Sequence, residues 1–146
     1  MSVIAWDGKT LVADKRASYG TTILTTTKIF RVGDCLVGYT GDAVFGEQML
    51  AWIRAGANVE DFPASQRDKD DWCGVLVITP NGKISRYERV PYPLTYEDKF
   101  FAAGSGGDFA LAAMHLGKTA REAVELACLL DSGCGNGITE LTLCPA

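Results

Sequence analysis

A layered α+β sandwich, with sheets inside and helices outside, is the fold the sequence predicts. Three observations point to it. β-like stretches fill the first half and return in the middle. Apolar residues recur at helical spacing after Asp42 and again after Asp108 and Thr119. The resulting order is strands, helix, strands, two helices, strand, and it leaves the apolar faces of two sheets and about three helices to be buried together.

Val3 to Trp6 is short and apolar, and Asp7-Gly8 reads as a two-residue hairpin turn into a strand over Thr10 to Lys15. Ser18 to Thr27 is rich in Thr, Tyr and Ile and predicts strand or extended chain. Ile29 to Val32 and Cys35 to Thr40 flank Gly33-Asp34, a second hairpin signal. From Asp42 to Ala55 the period changes: Val44, Phe45, Met49, Trp52 and Ile53 fall three or four apart. Asp42 suits the N-cap of that helix and Gly56 its far end.

Asn58 to Trp72 is polar, contains Pro63 and the run Arg67-Asp68-Lys69-Asp70-Asp71, and predicts a solvated loop with room for one short helix. Cys73 to Thr79, Asn81-Gly82 and Lys83 to Arg89 predict a hairpin. Val90 to Leu94 reads as irregular, and Lys99 to Ala103 as a short strand ending in Gly104-Ser105-Gly106-Gly107. Two helices follow, Asp108 to Leu116 and Thr119 to Leu130; Thr119 and Glu122 have the spacing of a capping box. A Gly-rich loop, Asp131 to Gly137, leads to a closing strand, Ile138 to Leu143.

The chain has 146 residues, which predicts one domain over 1-146. Hydrophobic residues make up 47% and charged residues 22%, ordinary globular values that supply a core. With 14 basic against 18 acidic residues and no basic block, nucleic acid is disfavoured as a partner. No apolar run approaches the ~18 residues of a membrane span. The first residues lack the charged start and apolar stretch of a secretory signal. Of the five cysteines, Cys35, Cys73, Cys128, Cys134 and Cys144, no two have C-x-x-C spacing. With His115 the only histidine, a clustered metal site is not expected. Cys35 and Cys73, in apolar strand-like stretches, read as buried small hydrophobes, and the compartment as reducing and cytoplasmic.

Chemistry enters at the N-terminus. Removal of Met1 ahead of a small residue leaves Ser2 with a free α-amine, whose pKa near ~8 lets it act as a base at neutral pH. Amine and hydroxyl on one residue form a nucleophile with a built-in base. Ser2 alone is a common second residue, but it stands at the head of an ordered series. S-V-I-A-W-D-G-K-T-L-V-A-D-K-R-A is followed by T-T-T-K-I-F, then G-Y-T-G-D-A, A-A-G-S-G-G-D-F-A-L and D-S-G-C-G-N-G-I. The series, over nearly the whole chain, resembles the N-terminal nucleophile hydrolases of the proteasome β-subunit and HslV type, among them small bacterial and phage relatives.

The resemblance implies a four-layer αββα sandwich of two antiparallel sheets between helices. It places Ser2 where the family has its N-terminal Thr nucleophile. Asp14 matches the acid that orients the catalytic Lys, Arg16 the basic residue after it, and Lys28 that Lys. Gly41 matches the Gly whose backbone N–H forms the oxyanion hole. Ser105 matches the Ser near the terminal amine, and Asp131 with position 134 matches the supporting D-x-x-S-G pair. Ala17, Thr26, Tyr39 and Ala43 are implied to line the pocket beside the nucleophile. Two residue types depart from the pattern: Ser2 replaces Thr, and Cys134 replaces Ser, a better hydrogen-bonding group. The segment Asn58 to Trp72 is also short for the family's second long helix.

The implied activity is peptide-bond hydrolysis by acyl transfer, without metal or organic cofactor. The implied partners are an extended peptide substrate, further copies of the chain in a ring or stacked rings, and an ATP-driven unfoldase that feeds such a ring. No segment of the chain identifies that unfoldase. Two other readings remain open. One is a catalytically silent proteasome-like assembly or shell protein, which retention of Met1 would favour. The other is a small-molecule amidase with the same nucleophile. G-S-G-G could also be read as a phosphate-binding nest, but it lacks a P-loop Lys and a suitably placed ribose-binding acid. His115, Trp52, Phe45 and Phe109 at helical spacing read as structural or subunit-contact residues.

Overall fold

The computed structural model describes residues 2–68 and 70–143. Met1, Lys69 and Cys144, named above from the sequence, lie outside the described residues. In chain order the elements are β1 (Ile4–Trp6), β2 (Thr10–Asp14), β3 (Arg16–Tyr19), β4 (Thr22–Thr25), β5 (Ile29–Val32), β6 (Cys35–Gly41) and α1 (Ala43–Arg54). A 3-10 turn (Val59–Asp61) follows, then α2 (Ala64–Asp68), β7 (Cys73–Ile78), β8 (Ile84–Tyr87), β9 (Leu94–Tyr96) and β10 (Phe101–Ala103). The chain closes with α3 (Gly107–His115), α4 (Ala120–Leu130) and β11 (Ile138–Thr142).

Two main antiparallel sheets form, ordered β10-β1-β2-β11 and β5-β6-β7-β8-β9. Period-two alternation sorts their side chains into three apolar layers. Ile4, Trp6, Leu11 and Ala13 of the first sheet meet Leu36, Leu76, Ile78 and Ile84 of the second between the sheets. Val3, Ala5 and Val12 point the other way, onto Ala110, Met114, Val124 and Ala127 of α3 and α4. Val37, Tyr39 and Val75 pack outward under Met49, Leu50 and Trp52 of α1. Helices therefore cover both outer faces, which is the αββα arrangement. Each large apolar side chain that is fully buried in these layers contributes about 1.5–3 kcal/mol.

Local signals place the helix ends. The Asp42 side chain accepts the N–H groups of Val44 and Phe45 at the start of α1. Thr119 and Glu122 close a reciprocal capping box on α4.

The structure corrects the sequence reading at several places. β1 ends at Trp6 and β2 begins at Thr10, so the first hairpin is joined by three residues, Asp7, Gly8 and Lys9, rather than by a two-residue turn at Asp7-Gly8. Ile78 pairs with Ile84, so Asn81-Gly82 sits inside a longer loop. Ser18 to Thr27 is not one extended stretch: β3 and β4 form their own hairpin, with Tyr19 paired to Thr22 around Gly20. Val90 to Pro93 is irregular, as the sequence reads, but Leu94 already opens an edge strand, β9, that the sequence reading lacks. Asn58 to Trp72 is more than a solvated loop, because Phe62 and Gln66 are buried. Gln66 Nε2 donates to the carbonyls of Cys73 and Glu88, and its Oε1 accepts the N–H of Cys73 at 3.2 Å. That side chain ties the segment to the start of β7. Cys73 is buried, but Cys35 is only half-buried.

Candidate functional site

Ser2 lies two residues before β1 and is only 2% exposed. Its neighbour Val3 is bound to β2 from both sides: Val3 O accepts the N–H of Asp14 at 3.2 Å, and Val3 N–H donates to Asp14 Oδ1 at 3.1 Å. Asp14 ends β2 with no exposed surface. Its Oδ1 also accepts Lys28 Nζ at 2.7 Å. Its Oδ2 accepts the N–H groups of Arg16 at 3.2 Å and Gly135 at 3.0 Å. Four donors thus converge on one buried carboxylate, and they offset the cost of removing it and Lys28 from water. Lys28 stands just before β5, and its carbonyl accepts the N–H of Tyr39 at 3.1 Å.

On its other side Ser2 meets the turn after β10. Ser2 N–H donates to Ser105 Oγ at 3.2 Å, and Ser2 O accepts the N–H of Gly106 at 3.1 Å. Gly104 has φ +92°, and a Cβ there would overlap the Ser2 carbonyl oxygen. Glycine alone allows this turn to reach Ser2. The Ser105 hydroxyl donates to Asp131, and the Gly133 N–H donates to Asp131 Oδ1 at 2.8 Å. These two bonds, Ser105 first, hold the Asp131 carboxyl below the usual range. The buried Cys134 thiol lies 3.4 Å from Asp131 Oδ2 and donates to it weakly. Burial, reinforced by the nearby charges of Asp14 and Asp131, pushes that thiol up to about 12. Arg16 fastens the same loop through Ser132 O at 2.6 Å and Asn136 Oδ1 at 3.1 Å.

A cleft of about 170 Å³ opens at Ser2. Lys28 and Gly41 line it, as do the four sequence-predicted pocket residues Ala17, Thr26, Tyr39 and Ala43. Arg16, Ser18 and Asp42 complete the wall. Ser18 carries no signal in the sequence, since β3 is half-exposed and shows no alternation, and Asp42 reads from sequence only as a helix cap. Gly41 has φ +103°, and a Cβ there would stand 2.6 Å from Trp72 O, so β6 reaches α1 in this geometry only with glycine. The Tyr39 hydroxyl donates to Glu47 Oε1 of α1 at 2.8 Å. Burial first, then Glu47, raises its pKa far above the ordinary tyrosine value. Ser105, Asp131 and Cys134 stand behind Ser2 rather than in the cleft wall.

His115 is exposed and lies edge-on to Phe100, while Trp52 is buried and Phe109 largely exposed. Among the described residues no cluster of His, Cys, Asp or Glu is arranged to hold a metal ion. No described helix is long and apolar enough to cross a membrane.

No protein-family model matches the chain. Among curated proteins it is similar to proteasome subunit beta 1 of Thermococcus onnurineus (strain NA1). The two are 29% identical over 180 aligned positions, covering 98% of this chain and 86% of that protein. Among solved structures it superposes on Thiobacillus denitrificans BPH in complex with epoxomicin, with a TM-score of 0.74 and 22% identity, covering 99% and 100% of the two chains. It superposes on eukaryotic HslV from Trypanosoma brucei with a TM-score of 0.72 and 19% identity, covering 97% of each chain. Nearly the whole chain is therefore similar in sequence to a proteasome β subunit, and its fold is that of the N-terminal nucleophile hydrolases of the proteasome β-subunit and HslV type.

Proposed function

We propose that the chain is a peptidase of the N-terminal nucleophile type, a single domain in which Ser2 becomes the nucleophile once Met1 is removed. One arrangement carries this reading. The buried Asp14 carboxylate holds both Lys28 Nζ, at 2.7 Å, and the N–H of the residue that follows Ser2, at 3.1 Å. A cation and the Ser2 backbone, both in the wall of one cleft, are thereby locked to one buried anchor.

Each residue then has a task. The free α-amine takes the proton of Ser2 Oγ, directly or through a water, as Oγ bonds to the carbonyl carbon. Lys28 disfavours protonation of that amine by like-charge repulsion, so it remains a base. The Gly41 N–H receives the developing oxyanion, a contribution typically of a few kcal/mol. The C–N bond breaks as the amine returns its proton to the leaving nitrogen, and water then hydrolyses the Ser2 ester. Ser105, held by Asp131, positions the amine nitrogen; Cys134 and Gly133 position Asp131. Ala17, Thr26, Tyr39 and Ala43 receive the acyl-side residue of an extended peptide. No cofactor enters this scheme.

The proposal includes assembly of several copies, supported by large apolar residues left open on the helical layers, among them Leu116 at 85% and Leu129 at 80% exposure. It also includes a cytoplasmic setting and an ATP-driven unfoldase as the feeding partner of a ring.

Intact mass and hydrolysis test the reading. The expected mass lacks Met1, and Ser2→Ala lowers hydrolysis of a fluorogenic peptide at least about a hundredfold. Epoxomicin, bound in one of the structural neighbours, is expected to compete with that peptide. Met1 still attached to folded protein would point to the silent assembly reading. Turnover unchanged in Ser2→Ala would overturn the mechanism, and cleavage of short acyl amides alone would indicate an amidase.

A further inference from the structure

Arg86 occupies an inward position of β8. Ile84, two residues earlier, belongs to the apolar layer between the sheets, and alternation points Arg86 to the same side. Gly74 of β7 leaves the room it needs, since a side chain there would collide with the guanidinium. On the opposite sheet the Phe101 ring lies 5.9 Å from Arg86 Cζ. A cation therefore stands at the open end of a layer that is otherwise apolar. Arg86 Nε donates to Glu88 Oε1 at 3.2 Å, and the guanidinium makes no other hydrogen bond among the described residues. Glu88 is itself 55% exposed, so water screens that pair.

Two hollows meet at this guanidinium. One, of about 250 Å³, is also lined by Gly41, Trp72 and Gly104. Gly41 is shared with the Ser2 cleft, and Gly104 packs against the Ser2 carbonyl, so this hollow borders the cleft next to Ser2. The other, of about 140 Å³, is bordered by Glu88, Val90 and Tyr92 and by Leu94 and Tyr96 of β9, at the edge of its sheet.

Resting on the peptidase reading, we propose that Arg86 is a binding residue for a carboxylate on the leaving-amine side of the substrate, either an acidic side chain or the peptide's free C-terminus. The peptide runs from Ser2 between Gly41 and Gly104 to the guanidinium, and apolar side chains beside the carboxylate rest on Tyr92 and Leu94. Planar, part-desolvated N–H donors without protein acceptors suit a carboxylate, and an arginine fork binds it more strongly than a point charge does.

The test measures binding on Ser2→Ala protein, where turnover cannot intervene. Three peptides of one sequence are titrated: one with an acidic leaving-side residue and an amidated end, one neutral with a free C-terminus, and one neutral and amidated. At least one carboxylate peptide is expected to bind about tenfold tighter than the neutral amide. Whichever gains identifies the source. Adding Arg86→Met should erase the gain, Arg86→Lys should keep part of it, and Glu88→Gln should increase it by freeing Nε. Equal binding of all three peptides, or a gain that survives Arg86→Met, overturns the proposal. If Arg86→Met does not fold, an unchanged carboxylate affinity in Glu88→Gln overturns it instead. Hydrolysis of the neutral amide by the Ser2 protein without any carboxylate preference defeats this inference alone. A carboxylate preference without hydrolysis defeats the peptidase reading alone.

Discussion

Lys28 Nζ reaches Asp14 Oδ1 at 2.7 Å where Asp14 has no exposed surface, and that oxygen also holds the backbone N–H after Ser2. The ion pair and the position of Ser2 are therefore one structural unit. Its strength comes from the complete set of donors on the carboxylate rather than from the charge pair alone.

Lys28→Met leaves Asp14 buried without its cation. A loss of about 3–5 kcal/mol in unfolding free energy is expected, measured by urea denaturation. Asp14→Asn together with Lys28→Met should cost less than the sum of the two single changes, because the partners share one interaction. Additive losses would show that the pair is not coupled as its geometry implies.

Gly104 and Gly33 separate local strain from close packing. Both have positive φ, +92° and +58°, but a Cβ at Gly33 meets nothing within 4 Å, whereas at Gly104 it meets the Ser2 carbonyl. Gly33→Ala is expected to cost about 1–2 kcal/mol, the left-handed penalty alone. Gly104→Ala should cost clearly more and displace Ser2. Thermal melting of the two variants, read side by side, checks the difference; equal costs would contradict the close approach.

Acid sensitivity should pass through Ser105. Asp131 has a depressed folded pKa, set first by the Ser105 hydroxyl and then by the Gly133 N–H. A depressed carboxyl pKa adds stability above the unfolded value near ~4 and loses it as pH falls through the folded value. Ser105→Ala moves the folded pKa of Asp131 upward, so the variant should lose that contribution at higher pH. An acid titration followed by circular dichroism should show its midpoint shifted upward relative to the parent. A midpoint that does not move would mean the hydroxyl does not support Asp131.

The buried thiols predict the opposite limb. Burial raises Cys73 to about 11 and Cys134 to about 12. A raised folded pKa means the native state holds these protons more tightly, so stability falls as pH rises above the unfolded thiol value near ~8.5. The decline should continue up to the folded values and be shallower in Cys73→Ala. Native alkylation followed by mass spectrometry should label half-buried Cys35 well before Cys73 or Cys134. Early labelling of Cys134 would contradict its burial behind Ser2.

Much of the layered fold was legible because its signals are short-range. The N-cap at Asp42, the box at Thr119 and Glu122, and the short apolar, strand-forming runs of β1, β2, β6 and β7 each need only a few neighbouring residues to be read. The β3–β4 hairpin was not legible as two strands. Its residues are mostly exposed, so no apolar alternation marks the turn at Gly20. Asn136 ties the hairpin down from the far end of the chain, bonding Leu24 O and Thr25 Oγ1. Gln66 likewise reads as part of a polar loop until its partners Cys73 and Glu88 are seen.

By itself the sequence determined most of the strands and the main helices, where those helices are capped, and, through its ordered motifs, which residues gather around Ser2. Those features depend on backbone conformation and on side-chain period over a handful of positions. Tertiary structure alone decided that Ser105 would meet Ser2 across 103 residues, that four donors would converge on Asp14, and that Arg86 would face inward over Phe101 beside the cleft. Such meetings depend on how two twisted sheets stack and where their ends open, and no local period in the chain encodes that geometry.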